Sequence, residues 1–279
     1  MADIRRDEGS FPTADNLKLF WISATPENPK AHLALVHGYA EHIGRYGHVV
    51  DHFAGLGYAV HGFDVRGHGR SEGRRGHVRQ FSDYMDDLQR YLDRVKIAAG
   101  GKKVFLFGHS HGGLLAATHL LGHPTDLAGA ILTSPFFGLA FKPPAVKVTA
   151  AKIIGRVVPG LHLGNEIKSE QLTRDQGFVE AHRADKLVFN VTTPGWFMAA
   201  TAAQERIIAE AGQVTLPVGI FAGGNDPIAD VKLAQAFYER CGSADKSFKV
   251  YEGALHEVLN ETNRAEVYAD INAWIEKHL

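Results

Sequence analysis

Cysteine occurs once, at Cys241, so no intramolecular disulfide can staple the chain and nothing points to an oxidising compartment. An excess of charge of either sign is missing too. Thirty Lys and Arg against 31 Asp and Glu leave a net charge of −1, which provides no field to recruit nucleic acid or an anionic bilayer. No uncharged apolar run reaches membrane-spanning length, and the first ten residues, MADIRRDEGS, carry charges where a signal peptide needs its apolar centre. The expected location is the cytoplasm, peripheral to a membrane at most. Internal repeats and low-complexity tracts are absent as well. What remains is an ordinary globular composition, 45% hydrophobic and 22% charged over 279 residues, enough for one large domain with or without an inserted sub-domain. No nucleic-acid partner is expected; a small uncharged substrate fits this composition better.

Sixteen histidines raise the question of a metal. HGYAEH (37–42) and HEVLNE (256–261) look like fragments of zinc motifs, but neither has a second His at i+4, as a helical metalloprotease site requires. No metal and no cofactor are expected.

Apolar runs bounded by glycine and turn residues recur at 31–38, 58–67, 103–110, 127–135, 216–224 and 247–254. Most are near-continuous in Ala, Val, Ile, Leu and Phe without period-two alternation, as in strands covered on both faces of a parallel sheet. Helical patterns alternate with them at 44–57, 81–100, 112–121, 229–242 and 263–279, predicting a doubly wound α/β sheet. Residues 11–29 lack an intervening helix and are expected as an antiparallel hairpin at one edge. From 136 to 215 the rhythm stops, while apolar residues and helix formers persist, so a helical insertion is predicted. The expected division is a core of 1–135 and 216–279 with an insertion at 136–215. Within it, 144–160 places Val146, Ala150, Ile153, Ile154 and Val157 on one helical face and Lys147, Lys152 and Arg156 largely on another. That amphipathic face is read first as packing against the main domain, and second as a surface that touches lipid or admits apolar substrate.

Gly108-His109-Ser110-His111-Gly112 fits G-x-S-x-G between the strand-like KVFLF and the helix-like GLLAATHLL. In that context the motif is a nucleophile elbow, with glycines permitting a sharp turn that exposes the Ser110 hydroxyl above the sheet. A serine hydroxyl needs a base and an orienting acid, which in this architecture follow at later strand ends in the order Ser, Asp or Glu, His. LPVGIFAGG ends at Asp226 and SFKVYEGA ends near His256. The rival acid, Asp230, falls at a helix start, where Asp is more simply a first-turn residue, so Asp226 is preferred. His109 and His111 adjoin the serine on a sharp turn and point away from it; His109 is expected beside the strand and the His111 side chain along the pocket. Oxyanion donors are expected from the backbone N–H groups of His111 and Tyr39. In DVRGHGRSEG (64–73), Asp64, Arg66 and Ser71 are read as bracing a charged turn, and the five arginines between 66 and 79 as a solvated loop.

HGYAEHIGRY, FDVRGHGRSEG, FGHSHGG, ILTSP, GGNDPIAD and YEGALHEVLNE, in this order, resemble the monoacylglycerol lipase and lysophospholipase branch of the α/β-hydrolases, grouped with the serine aminopeptidases. The resemblance implies an eight-stranded, mostly parallel sheet with an inserted helical cap, and hydrolysis of monoacylglycerol-like or other single-chain lipid esters. It implies that Glu41 and Arg45 sit at the polar end of the pocket and that His182 contacts the head group. Two departures stand out: His111 replaces the family's Met, which is expected to make the acyl-pocket wall more polar, and Ala40 replaces Gly in H-G-x-G, which is expected to confine that loop to angles comfortable for a Cβ. A lysophospholipase or short-chain carboxylesterase, an acyltransferase, a cofactor-free haloperoxidase and a non-catalytic ligand-binding protein are the alternatives. Transient membrane contact through the cap is expected from its apolar face.

Overall fold

A computed structural model of the chain describes residues 3–122, 126–141, 144–165 and 167–279. In chain order its strands are β1 (Ile4–Pro12), β2 (Lys18–Pro26), β3 (His32–Val36), β4 (Ala59–Phe63), β5 (Val104–His109), β6 (Gly129–Thr133), β7 (Leu163–Gly164), β8 (Val191–Thr192), β9 (Val218–Gly223) and β10 (Lys246–Tyr251). Its α-helices are α1 (Gly47–Gly55), α2 (Phe81–Ala99), α3 (His111–Leu120), α4 (Ala145–Val157), α5 (Gln176–Ala184), α6 (Pro194–Ala209), α7 (Val231–Arg240) and α8 (Arg264–Lys277). Eight strands form one sheet in the order β1-β2-β4-β3-β5-β6-β9-β10. Strands β4 to β10 of that order run parallel, and the β1–β2 hairpin is antiparallel at one edge. The hairpin begins at Ile4, earlier than the apolar pattern indicated, because the charged residues of β1 lie on an exposed edge that periodicity does not mark.

The central strands are largely apolar because their residues face one of two cores. Ala34, Val36, Leu106 and Leu132 pack with α2, α3, α6 and α7; Leu33, Leu35, Phe105 and Phe107 pack with α1 and α8. Alternation along a strand sends successive side chains to opposite faces, so a strand buried on both sides cannot alternate in polarity.

The stretch 136–215, expected as one helical insertion, divides in two. α6 lies in the main core layer, with Trp196, Ala200, Ala203 and Ile207 buried against α2, α3 and α7. α4, α5 and the short β7–β8 ribbon sit outside it, α4 packing on α6. The α4 face read first as a packing face is largely turned outward: Val146, Ile153 and Val157 are exposed and Ile154 is half-buried, while the side chains of Ala150, Lys147 and Lys152 lie outside the described residues. Cys241 is buried and unpaired. Among the described residues no helix is long and apolar enough to cross a membrane.

Candidate active site

The turn from β5 into α3 holds Ser110 at φ 52° and ψ −115°, backbone angles that cost a non-glycine residue about 1–3 kcal/mol. Strand β6, helix α3 and the segment after β6 hold it there: the Ser110 N–H donates to Thr133 O at 3.0 Å, and its carbonyl accepts from Leu114 and Phe136 N–H, each at 3.0 Å. The flanking glycines are required by contact. A Cβ on Gly108 would overlap the Gly112 backbone, and one on Gly112 would overlap the carbonyl oxygens of Val36 and His37.

Ser110 Oγ lies 2.8 Å from His256 Nε2, and His256 Nδ1 lies 2.7 Å from Asp226 Oδ2. A carboxylate only accepts, so Nδ1 carries the proton and Nε2 of the neutral ring accepts from the Ser110 hydroxyl. Asp226 is fixed from behind, its Oδ1 accepting from the N–H groups of Ile228 (2.8 Å) and Ala229 (3.0 Å). Burial pushes the His256 pKa down, but the Asp226 carboxylate, with Glu257 and Glu41 beyond it, outweighs burial and leaves it above the ordinary imidazole value. Asp230 takes no part. It is the N-cap of α7, accepting from Lys232 N–H at 2.9 Å.

The backbone N–H groups of Tyr39 and His111 flank Ser110 from the β3 loop and the first residue of α3, and neither is taken up by another group among the described residues. The His111 side chain, expected along the pocket, is instead fully buried behind the elbow among Tyr39, Phe81, Tyr84 and Trp196, so it does not make the cavity wall polar. As the first residue of α3, its ring is directed into the layer between the helix and α6. Of the two histidines that adjoin Ser110, it is His109 that reaches the cavity, with Nδ1 3.1 Å from Thr133 Oγ1 and burial lowering its pKa to about 3. Ala40 also departs from expectation: it adopts φ 64°, the left-handed region, held by its carbonyl accepting from Phe189 N–H at 3.1 Å. Asp64 and Ser71 brace their turn, Asp64 accepting from Ile43 and Arg70 N–H at 2.7 Å each, and Arg66 pairs with Asp87 and Asp15.

Ser110 and His256 open onto a cavity of roughly 900 Å³. One sector is apolar, with Phe136, Leu139, Phe197, Phe189, Trp196 and Ile228; the other holds Glu41, Arg45, His182 and Glu257. Arg45 donates from Nη1 to Glu41 Oε2 and to Glu257 Oε1 (2.7 Å), and from Nη2 to Glu257 Oε2 (2.8 Å). Burial pushes both carboxyls up. The Arg45 guanidinium overcomes this at Glu257, bringing it to about 2, whereas Glu41 remains above its usual value. His182, on α5, faces this sector with Nδ1 2.9 Å from Ser169 Oγ, and burial, then Arg45, lowers its pKa. Sequence reasoning does not single out Glu257. Its signal was its place directly after His256, but the partner that gives it meaning lies 212 residues away. Among the described residues no group of His, Cys, Asp and Glu is arranged to hold a metal.

Residues 27–263 match the family model described as serine aminopeptidase, S33. A monoacylglycerol lipase of Mycolicibacterium smegmatis is 32% identical with the whole of both chains aligned, and human monoglyceride lipase is 35% identical over 88% of this chain and 82% of its own. Among solved structures, the Paleococcus ferrophilus monoacylglycerol lipase superposes with a TM-score of 0.82 at 30% identity, covering 99% of this chain and all of that one. With this sheet order, this elbow and these relatives, the chain belongs to the serine aminopeptidase S33 family of α/β-hydrolases.

Proposed function

We propose that this carboxylic ester hydrolase cleaves single-chain lipid esters of the monoacylglycerol type through an acyl-enzyme on Ser110. The observation that carries the reading is the unbroken hydroxyl, imidazole and carboxylate chain, at 2.8 and 2.7 Å, opening onto a cavity with one apolar and one polar sector. Ser110 Oγ attacks the ester carbonyl while His256 Nε2 takes its proton, and Asp226 holds the imidazole in the tautomer that can do so. The N–H groups of Tyr39 and His111 stabilise the oxyanion, each such donor contributing about 3 kcal/mol in comparable sites. His256 then returns the proton to the leaving alkoxide, and a water deprotonated by the same nitrogen releases the fatty acid and restores Ser110. The acyl chain occupies the apolar sector and the alcohol the sector of Glu41, Arg45 and His182.

The segment carrying α4 and α5 serves as a cap over this cavity and meets a lipid surface. Support comes from the exposed apolar residues of this segment: Phe141, Leu163 and Ile167 line the cavity and are exposed, and Val146, Ile153 and Val157 are exposed on α4. A substrate would then enter without crossing water.

The test is Ser110→Ala with p-nitrophenyl butyrate, together with fluorophosphonate labelling of the unaltered protein. Labelling of the unaltered protein, and loss of both labelling and turnover in the variant, are expected; turnover retained in the variant would sink the reading. Liposome co-sedimentation of Ile153→Asp/Val157→Asp beside the unaltered protein tests the cap, equal binding being the contrary result.

A further inference from the structure

The arginine at the polar end of the cavity is already satisfied, and this bears on which head groups the site accepts. Arg45, Glu41 and Glu257 are each under a tenth exposed, and all three reach the cavity wall. Two of the guanidinium's nitrogens are directed at carboxylates, in a forked pair with Glu257 and a third bond to Glu41. Each carboxylate is fixed by further donors. Glu41 Oε1 accepts from Gly38 N–H and the Tyr46 hydroxyl, both at 2.6 Å, and Glu257 Oε2 accepts from Asn260 Nδ2 at 2.6 Å. Three donors to Glu41 and three to Glu257 are the coordination of charged carboxylates. Two buried negative groups therefore surround one positive group, with the Asp226 carboxylate behind His256 adding a third. Among the described residues the other guanidinium on the wall, Arg183, is at the exposed rim and is paired with Glu170.

We infer that Glu41, Arg45 and Glu257 form a charge filter for the leaving alcohol, admitting an uncharged polyol and excluding a head group that carries phosphate. Hydroxyls can donate to the carboxylate oxygens of this cluster and accept from the remaining Arg45 hydrogens. A phosphate would face two carboxylates with no unpaired cation among the described lining residues to offset them, and like charges brought together out of water are strongly unfavourable. The filter acts at the bond that breaks, because the leaving oxygen takes its proton from His256 and Glu257 is the next residue in the chain. Glu257 is thus a specificity-determining residue beside the base, and its carboxylate keeps the Arg45 charge from attracting anions.

This inference rests on the ester-hydrolase reading, and the experiment separates the two. Values of kcat/KM are measured for 1-hexanoylglycerol and 1-hexanoylglycerol 3-phosphate, which share one acyl chain and are soluble as monomers, with p-nitrophenyl butyrate as a substrate that has no polyol. For the unaltered protein the glycerol ester should exceed the phosphate ester on the order of 100-fold. In Glu257→Gln that ratio should contract by about tenfold, because Arg45 regains part of its charge. Glu41→Gln provides a second variant in which the same contraction is expected. A ratio below about 10 in the unaltered protein, or a ratio unmoved in folded variants, overturns the filter while leaving the hydrolase reading standing. Absence of turnover with all three esters would remove both.

Discussion

Replacing Asp226 with Asn changes a single atom, and its consequence can be worked out from the partners on either side. Oδ1 of Asp226 accepts two backbone N–H bonds, from Ile228 and Ala229, while Oδ2 faces His256 Nδ1. The side chain is 2% exposed, so no water can relieve a mismatch. If the amide nitrogen turned toward Ile228 and Ala229, two buried donors would lose their acceptor, at about 1–3 kcal/mol each. The amide oxygen therefore stays on the backbone pair and its NH2 group faces His256. Nδ1 must then accept, which moves the ring proton to Nε2, the nitrogen that should take the proton from Ser110. In an equivalent triad that wrong tautomer lowers kcat by about 10⁴-fold with the geometry intact, and a comparable loss is expected here. The assay is p-nitrophenyl butyrate turnover, with the rate of fluorophosphonate labelling as an independent measure of Ser110 nucleophilicity. Asp230→Ala is the contrast: it should cost about 1 kcal/mol of stability through the lost α7 N-cap and leave kcat near its original value. Asp226→Asn retaining a tenth or more of the original kcat, or Asp230→Ala losing activity in the folded protein, would refute the assignment.

With its imidazole pKa held above the ordinary value by Asp226, His256 becomes protonated as pH falls. The acid limb of kcat/KM should accordingly lie above pH 6.5, and a limb below about 6 would contradict the cited interactions. Stability should weaken on acidification for a different reason: burial holds His37, His68 and His109 neutral with pKa values of about 3, and His32 about 4. Because their folded values are depressed, the unfolded chain binds more protons from pH 6.5 downward and stability falls across that window. Each contributes up to about 1.4 kcal/mol per pH unit, so Tm should drop by at least about 5 °C between pH 7.5 and 5, and a flat profile would count against it. Ala40→Gly relieves a left-handed alanine and should raise stability by about 0.5–1 kcal/mol after the entropic cost of glycine, read as a higher Tm; a decrease would show that φ 64° carries no strain.

Much of this architecture was legible because one physical rule governs each part. Strands covered on both faces read as continuous apolar runs, and β3, β5, β6 and β9 fall within the runs at 31–38, 103–110, 127–135 and 216–224. Ser110, Asp226 and His256 stand at or just beyond the ends of β5, β9 and β10, so identifying the strands also brought those three residues to one sheet edge. α6 was hidden for a different reason. Its start carries a readable signal, Thr193 as N-cap accepting from Trp196 N–H with Pro194 at the first turn, but its burial against three helices depends on chain crossings that no local period records. The orientation of His111 and the pairing of Glu257 with Arg45 are also decided by groups distant in sequence. Motif spacing locates such residues without saying what they touch.

Two of the residues with positive φ, Ala40 and Ser110, adjoin Tyr39 and His111, whose N–H groups are the proposed oxyanion donors, so backbone strain falls beside that proposed position. At Ser110 the strain is sustained by bonds to Thr133, Leu114 and Phe136, and by glycine contacts at 108 and 112 that permit no other path. Such strain should be measurable by comparing two inactive variants. Ser110→Ala and Ser110→Gly both remove the hydroxyl and its bond to His256, but only glycine adopts φ 52° with ψ −115° freely. Relief of about 1–3 kcal/mol, less about 0.5–1 kcal/mol for glycine's greater freedom in the unfolded chain, leaves Ser110→Gly the more stable by about 1 kcal/mol. In a chain of this size that is a Tm difference of about 2 °C, within reach of calorimetry, with urea midpoints as a second measure. If Ser110→Ala proves as stable as Ser110→Gly by both measures, the elbow is unstrained, and exposure of the nucleophile must come from the glycine contacts and the sheet alone.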